Sequence, residues 1–229
     1  MQNFVKLTKR LVKNFLIIFY IWKDISVLNE RKRIRIMLIK NWTNSLIEAG
    51  CDEVGRGCLS GPVVAAAVIL KEDFFHELIN DSKKLTAKSR QQMALYIKQH
   101  AWDYAIAELS PAIIDEHNIL NASIMAMHNA LDKLKLRPEH IVVDGNRFHP
   151  YTSIPHTCVV KGDSKVLSVA CASILAKTYR DELMGKLHLE YPNYGWDKNM
   201  GYATKIHRAA LNEHGPSPYH RKSFRLKYD

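Results

Sequence analysis

Three short stretches of this chain put carboxylates where an α/β fold gathers its chemistry. Asp52 and Glu53 stand side by side in AGCDEVGRG, Asp144 closes HIVVDGN, and Asp163 closes HTCVVKGD. Each lies at the predicted end of a strand and beside a glycine, and such strand ends converge on one edge of the core. Four carboxylates drawn together repel and raise one another's pKa unless a cation neutralises them. The cysteines show no CxxC spacing and no histidine partners at metal-finger distances, so an all-oxygen site for Mg²⁺ or Mn²⁺ is the candidate. Such a cluster is the equipment of two-metal phosphoryl chemistry, with ions about 3.5–4 Å apart. The alternatives are local: Asp144 as a turn residue before Gly145, and Asp163 as the cap of the helix after it. Successive strand residues face opposite sides, so a bend at Val54-Gly55 is the expected device for bringing Asp52 and Glu53 to one site.

The glycines of Gly55-Arg56-Gly57 allow a backbone to approach a ligand closely and to take positive φ. Exposed peptide groups there could bond a ribose 2′-hydroxyl, the group that separates RNA from DNA. A tight hairpin is the plain alternative. Arg56 serves either a phosphate or the two acids that precede it.

The rest of the chain must position these residues. With 229 residues, 47 % of them apolar and 24 % charged, it suits one substantial core rather than disorder. The net charge of +10 is uneven: residues 1–36 hold nine Lys/Arg against Asp24 and Glu30. Within that leader the apolar run FLIIFYIW is too short to span a bilayer, which takes about 20 residues, and no small-residue cleavage site follows it. We read residues 1–36 as a basic extension outside the fold, with Met37 as the functional start; a membrane-surface anchor is the other reading. The four cysteines read as small buried hydrophobes of a reducing cytoplasm.

From Leu38 onward strands and helices alternate. LIEAGCDEVG and GPVVAAAVILK read as paired strands, WDYAIAEL as a third, and HIVVD and HTCVVKGD as two short ones. Thr86 is the expected N-cap of a helix over AKSRQQMALYIKQH. Ser110-Pro111 opens a short helix that is followed by a second over NASIMAMHNALDKLKL. VLSVACASILAKTYRDELMGKLHLEY is a long helix whose small residues suit close packing on a sheet. The Gly-, aromatic- and base-rich tail keeps one helix, in YATKIHRAALNEHG. These elements divide into 1–36, a catalytic domain over 37–190, and a C-terminal extension over 191–229.

In order and spacing, AGCDEVGRG, LSGPVVAAAVIL, NDSKKL, VDGNRF, KGDSKV, ASILAKTYRD, MGYAT and YHRKSF resemble bacterial ribonuclease HII, from about Leu46 to Phe224. The resemblance implies an α/β ribonuclease H-like fold: a five-stranded mixed sheet flanked by helices, with a C-terminal helical extension. It implies that Asp52, Glu53, Asp144 and Asp163 are the catalytic acids, holding two Mn²⁺ or Mg²⁺ ions. The implied substrates are RNA–DNA hybrids and duplex DNA with embedded ribonucleotides. Cleavage would fall 5′ of the ribonucleotide and leave 3′-hydroxyl and 5′-phosphate ends. Gly55, Arg56, Gly57 and Tyr202 match the residues that read the RNA-to-DNA junction. Two departures, Cys58 and Ala203 where the family commonly has proline, loosen those loops without removing a functional group. About 45 residues before the first strand are too few for the N-terminal domain of the sister ribonuclease HIII.

Lys83, Lys84, Lys161, Lys177 and Arg180 are candidates for phosphate contacts, or simply structural and surface residues. The segment 196–229 has seven Lys/Arg against three acids, with Tyr202, Tyr219 and three histidines, and suits a duplex backbone; His220-Arg221-Lys222 could equally cover the core. The enzyme is expected to be monomeric. A sliding-clamp partner has only a faint candidate peptide, SFRLKYD. The rivals are a ribonuclease H-like nuclease that cuts only DNA and a hybrid-binding protein without catalysis.

Overall fold

The computed structural model describes residues 38–43, 47–79 and 85–226. The leader, Met37, Lys83, Lys84 and the last three residues lie outside the described residues. Five strands form the sheet: β1 (Glu48–Val54), β2 (Val63–Ile69), β3 (Asp103–Leu109), β4 (His140–Asp144) and β5 (His156–Val159), in the order β3-β2-β1-β4-β5. β1, β2 and β3 pair antiparallel, whereas β4 runs parallel to β1 and to β5. This is the mixed five-stranded sheet expected.

β2 is apolar at every position because both of its faces are covered. Val63, Ala65, Ala67 and Ile69 join Ile114, Ile124, Met127 and Leu131 of α2 (Pro111–Asp132) on one face. Val64, Ala66 and Val68 join residues of α1 (Ala87–His100) and α3 (Leu167–Glu190) on the other. Thr86 and Ser110 cap α1 and α2 through their side chains, as their positions in the sequence predict.

α2 is two helical segments that meet at a kink at Asn118 (φ 63°, ψ 163°), the short helix and its successor expected from the sequence. The Asn118 side chain accepts from the N–H groups of Leu120 and Asn121 and so caps the second segment. α3 lies so close to β1 that a Cβ at Gly50 would stand 2.3 Å from the Ser168 carbonyl carbon. Beyond it come a 3₁₀ turn (Pro192–Tyr194), the single turn α4 (Trp196–Asn199) and α5 (Lys205–His214), capped by Thr204. No helix among the described residues is long and apolar enough to cross a membrane.

Candidate active site

β1 outlasts its partner on one side. Its pairing with β4 ends at Cys51–Val143, while its pairing with β2 continues to Val54–Val64. Asp52 and Glu53 occupy the unpartnered stretch, level with the end of β4 at Asp144. Of the expected bend at Val54-Gly55, Val54 stays in register and the chain turns at Gly55, with φ +94°, beyond both acids. Strand alternation is kept instead. Asp52 follows Gly50 onto the α3 face and hydrogen-bonds Ser173. Glu53 follows Cys51 onto the α2 face, where it lines a small pocket with Ser123, Ile124 and Met127. Because β4 stops short, both carboxylates still border one cleft of about 330 Å³ at the end of the sheet.

The same cleft takes in Asp144, Asp163, Gly55, Arg56, Gly57, Lys177 and Tyr202. Asp144 accepts a 2.6 Å hydrogen bond from the Gly162 N–H. Asp163 departs from expectation in its setting. β5 ends at Val159, and left-handed Lys161 (φ 57°) turns the chain into a 3₁₀ turn, Gly162–Ser164, that carries Asp163 inward. It is not the helix cap either, since Val166 holds that place.

Burial raises the pKa of Asp52 well above the usual carboxylate range, and the negative charges of Glu53 and Asp144 raise it further. Hydrogen bonds from Ser173 and the Glu53 N–H only partly offset this. Glu53 is raised by burial as well, against the pull of Arg56, whose guanidinium stands 3.1 Å away. Among the described residues no group of three or more His, Cys, Asp or Glu side chains forms a ready-made metal site. The donor set nevertheless fits a hard divalent cation: it is all oxygen, and its acids repel in a way that a cation would relieve.

The other predicted residues divide. Lys177 lines the cleft and is tied to Asp181 at 2.7 Å, to which Arg90 also bonds at 3.0 Å. Lys161 is exposed and outside the cleft lining. Arg180 is no phosphate contact, because it is wholly buried and donates to the carbonyls of Ser60, Pro62 and Met200. Arg90 and Ser173 escaped the sequence reading. Ser173, Lys177 and Asp181 stand four apart on a largely apolar helix, and that polar stripe was the available signal.

The C-terminal extension keeps an exposed basic surface, in Lys198, Lys205, Lys222 and Arg225, over a buried support. Trp196, His207, His220 and Arg221 are all buried. His207 Nδ1 donates to the Tyr202 carbonyl, so its Nε2 accepts from Trp196 Nε1 and His220 Nε2; His220 Nδ1 accepts from the Ser217 N–H. Backbone bonding ties this unit to the loop after β1: Cys58 pairs with Tyr202, and Leu59 N–H donates to the Gly201 carbonyl. Tyr202 is thereby held against the Gly-Arg-Gly loop with the residue 41 % exposed. Phe224 and Leu226, from the candidate clamp peptide, pack on the hydrophobic cluster around Trp196.

The family model described as ribonuclease HII matches residues 49–228. A ribonuclease HII from Bacteroides thetaiotaomicron is 58 % identical over 84 % of this chain and 96 % of its own length. The chain belongs to the ribonuclease HII family. Its fold agrees: the ribonuclease H2 of Pyrococcus horikoshii superposes with a TM-score of 0.67 at 26 % identity, over 78 % of this chain and 94 % of that one. The ribonuclease HII of Archaeoglobus fulgidus, solved as a PCNA complex, gives 0.69 at 28 % identity over 80 % and 98 %. Members of this family are ribonucleases H, and this chain is accordingly a phosphodiester-cleaving endonuclease with a ribonuclease H-like fold.

Proposed function

We propose that this enzyme cleaves the RNA strand of RNA–DNA hybrids and nicks duplex DNA 5′ of single embedded ribonucleotides. The observation that carries this reading is the sharing of one cleft by four acids and by the Gly-Arg-Gly loop with Tyr202. Asp52, Glu53, Asp144 and Asp163 would hold two Mg²⁺ or Mn²⁺ ions. When bound, these neutralise the acids and supply Lewis-acid chemistry at the scissile phosphate, giving 3′-hydroxyl and 5′-phosphate ends. The protein's own residues do the selecting. Backbone groups of residues 55–57 meet the ribose, the Tyr202 ring stacks on the sugar of the next deoxynucleotide, and Lys177 faces the phosphate side of the cleft. Ser173 orients Asp52, and the Gly162 N–H orients Asp144.

Residues 37–190 serve in this reading as the catalytic domain, and 191–229 as the extension that backs the substrate-reading loop. Four free thiols suit a cytoplasmic enzyme, and the reading needs only a monomer.

The test is a duplex with one ribonucleotide, incubated with Mg²⁺ or Mn²⁺ and mapped at nucleotide resolution. A single cut 5′ of the ribonucleotide is expected. Cleavage of the all-deoxy duplex at the same rate would assign the protein to DNA-only nucleases. Specific binding with no cut in either cation would make it a hybrid-binding protein.

A further inference from the structure

Arg221 is wholly buried behind the Gly-Arg-Gly loop, over the ring of Phe224. Its partners are not acids but three backbone carbonyls. Nη2 donates to Gly55 at 2.6 Å and Nη1 to Arg56 at 2.9 Å, while Nε and Nη2 both reach Gly61. No peptide bond among the described residues is cis. In a planar trans peptide, the carbonyl of one residue and the N–H of the next point in opposite directions. Holding the carbonyls of Gly55 and Arg56 inward therefore turns the N–H groups of Arg56 and Gly57 away from Arg221. They face the side on which Arg56 and Gly57 are exposed, and a side chain at Gly57 would meet nothing within 4 Å. Neither N–H bonds another described residue.

We infer that Arg221 is a positioning residue that sets the polarity of the reading loop. It presents the Arg56 and Gly57 N–H groups as paired donors to an oxygen of the nucleic acid. The inference rests on the proposed function. It deepens that reading by making this part of the loop a donor, so that the oxygen it meets must accept. A ribose 2′-oxygen and a phosphate oxygen both have that chemistry, and only the first is missing from DNA. Arg180 provides the contrast: equally buried and equally engaged with carbonyls, it holds Ser60, Pro62 and Met200 but neither carbonyl of the donor pair.

The test compares binding of a single-ribonucleotide duplex with binding of its all-deoxy counterpart, without added divalent cation. The proteins are the full-length wild type, Arg221→Lys and Arg180→Lys. The ratio of the two affinities does not depend on how much of a variant is folded. Arg221→Lys is expected to lower the ribonucleotide preference by about tenfold, the size of one or two lost hydrogen bonds, and Arg180→Lys to leave it within about twofold. An unchanged ratio in Arg221→Lys, or an equal fall in both variants, would overturn the inference. Absence of any preference in the wild type would instead overturn the proposed function. Amide exchange in the wild type decides the matter if Arg221→Lys does not fold. Exchange at Arg56 and Gly57 should slow with the ribonucleotide duplex and not with the all-deoxy one. Equal slowing by both would make the partner a phosphate and overturn the ribose reading.

Discussion

The loop from Gly55 to Pro62 separates two buried polar regions of opposite charge. In front of it stand Asp52, Glu53, Asp144 and Asp163, acids that border one another across a cleft. Behind it lie the guanidinium groups of Arg180 and Arg221, each satisfied by backbone carbonyls. Burial lowers Arg221 to about 10, which leaves it protonated at neutral pH. The acids are out of balance with their surroundings, and the arginines are in balance with theirs. Burial of unlike partners builds a scaffold, whereas burial of like charges leaves a site that calls for a ligand. Arg221 therefore belongs to this scaffold, whereas Lys198, Lys205, Lys222 and Arg225 carry the extension's exposed positive charge.

Substitutions can break this contrast from either side. The largest expected effect is on activity: Asp52→Asn should lower cleavage of a single-ribonucleotide duplex by about three orders of magnitude. The same substitution should raise the melting temperature of the metal-free protein, because it removes a buried charge facing two others. Behind the loop the outcome should reverse. Arg180→Ala strands two buried carbonyls and a part-buried one and should cost about 3 kcal/mol, a melting temperature lower by roughly 6–12 °C.

The two regions should also oppose each other in pH. Asp52 and Glu53 have folded pKa values raised above their unfolded ones, so between these values the folded protein binds more protons. Their contribution to stability is fully present below about pH 4 and is lost as pH rises. Burial pushes His220 down to about 4 and lowers His207 as well. These histidines contribute stability above about pH 6.5 that is lost as pH falls towards 4. Melting curves of the metal-free protein from pH 4 to 7 should therefore steepen upward in Asp52→Asn and flatten in His220→Gln, the latter by up to about 3 kcal/mol across the window.

Mn²⁺ sharpens the acid side alone. At about ten times its dissociation constant it should stabilise the wild type by about 1.4 kcal/mol, and Asp52→Asn clearly less, by calorimetry. The smallest effect belongs to Cys58→Pro. The Cys58 N–H has only a 3.5 Å contact to the Gly55 carbonyl, so the change should stay within about 1 kcal/mol.

Most of this was legible in the chain. β2 declares itself by an unbroken apolar run, Thr86 and Ser110 by cap chemistry, and the four acids by their place at strand ends and glycine turns. What escaped depends on contacts between distant residues. The reach of β1 beyond β4 decides how Asp52 and Glu53 share a cleft, and a register is not written in either strand. The position of Asp163 depends on a left-handed Lys161, a conformation that a lysine does not advertise. Arg180 reads as a surface base because SILAKTYRD shows its spacing but not the carbonyls that wait opposite it. The extension reads as basic and aromatic, and only folding reveals that Arg221 turns inward while Lys198, Lys205, Lys222 and Arg225 stay exposed.

The contact at Gly50 works as a machinist's datum. With no side chain on that residue, the spacing between strand and helix is gauged by a single hydrogen against the backbone of Ser168 and Val169. Ser173 and Lys177 ride on that helix, and Asp52 sits two residues along that strand. The width of the cleft is therefore machined at a point outside it. One methyl group at residue 50 would act as a shim, prising the two walls of the cleft apart from a point outside it.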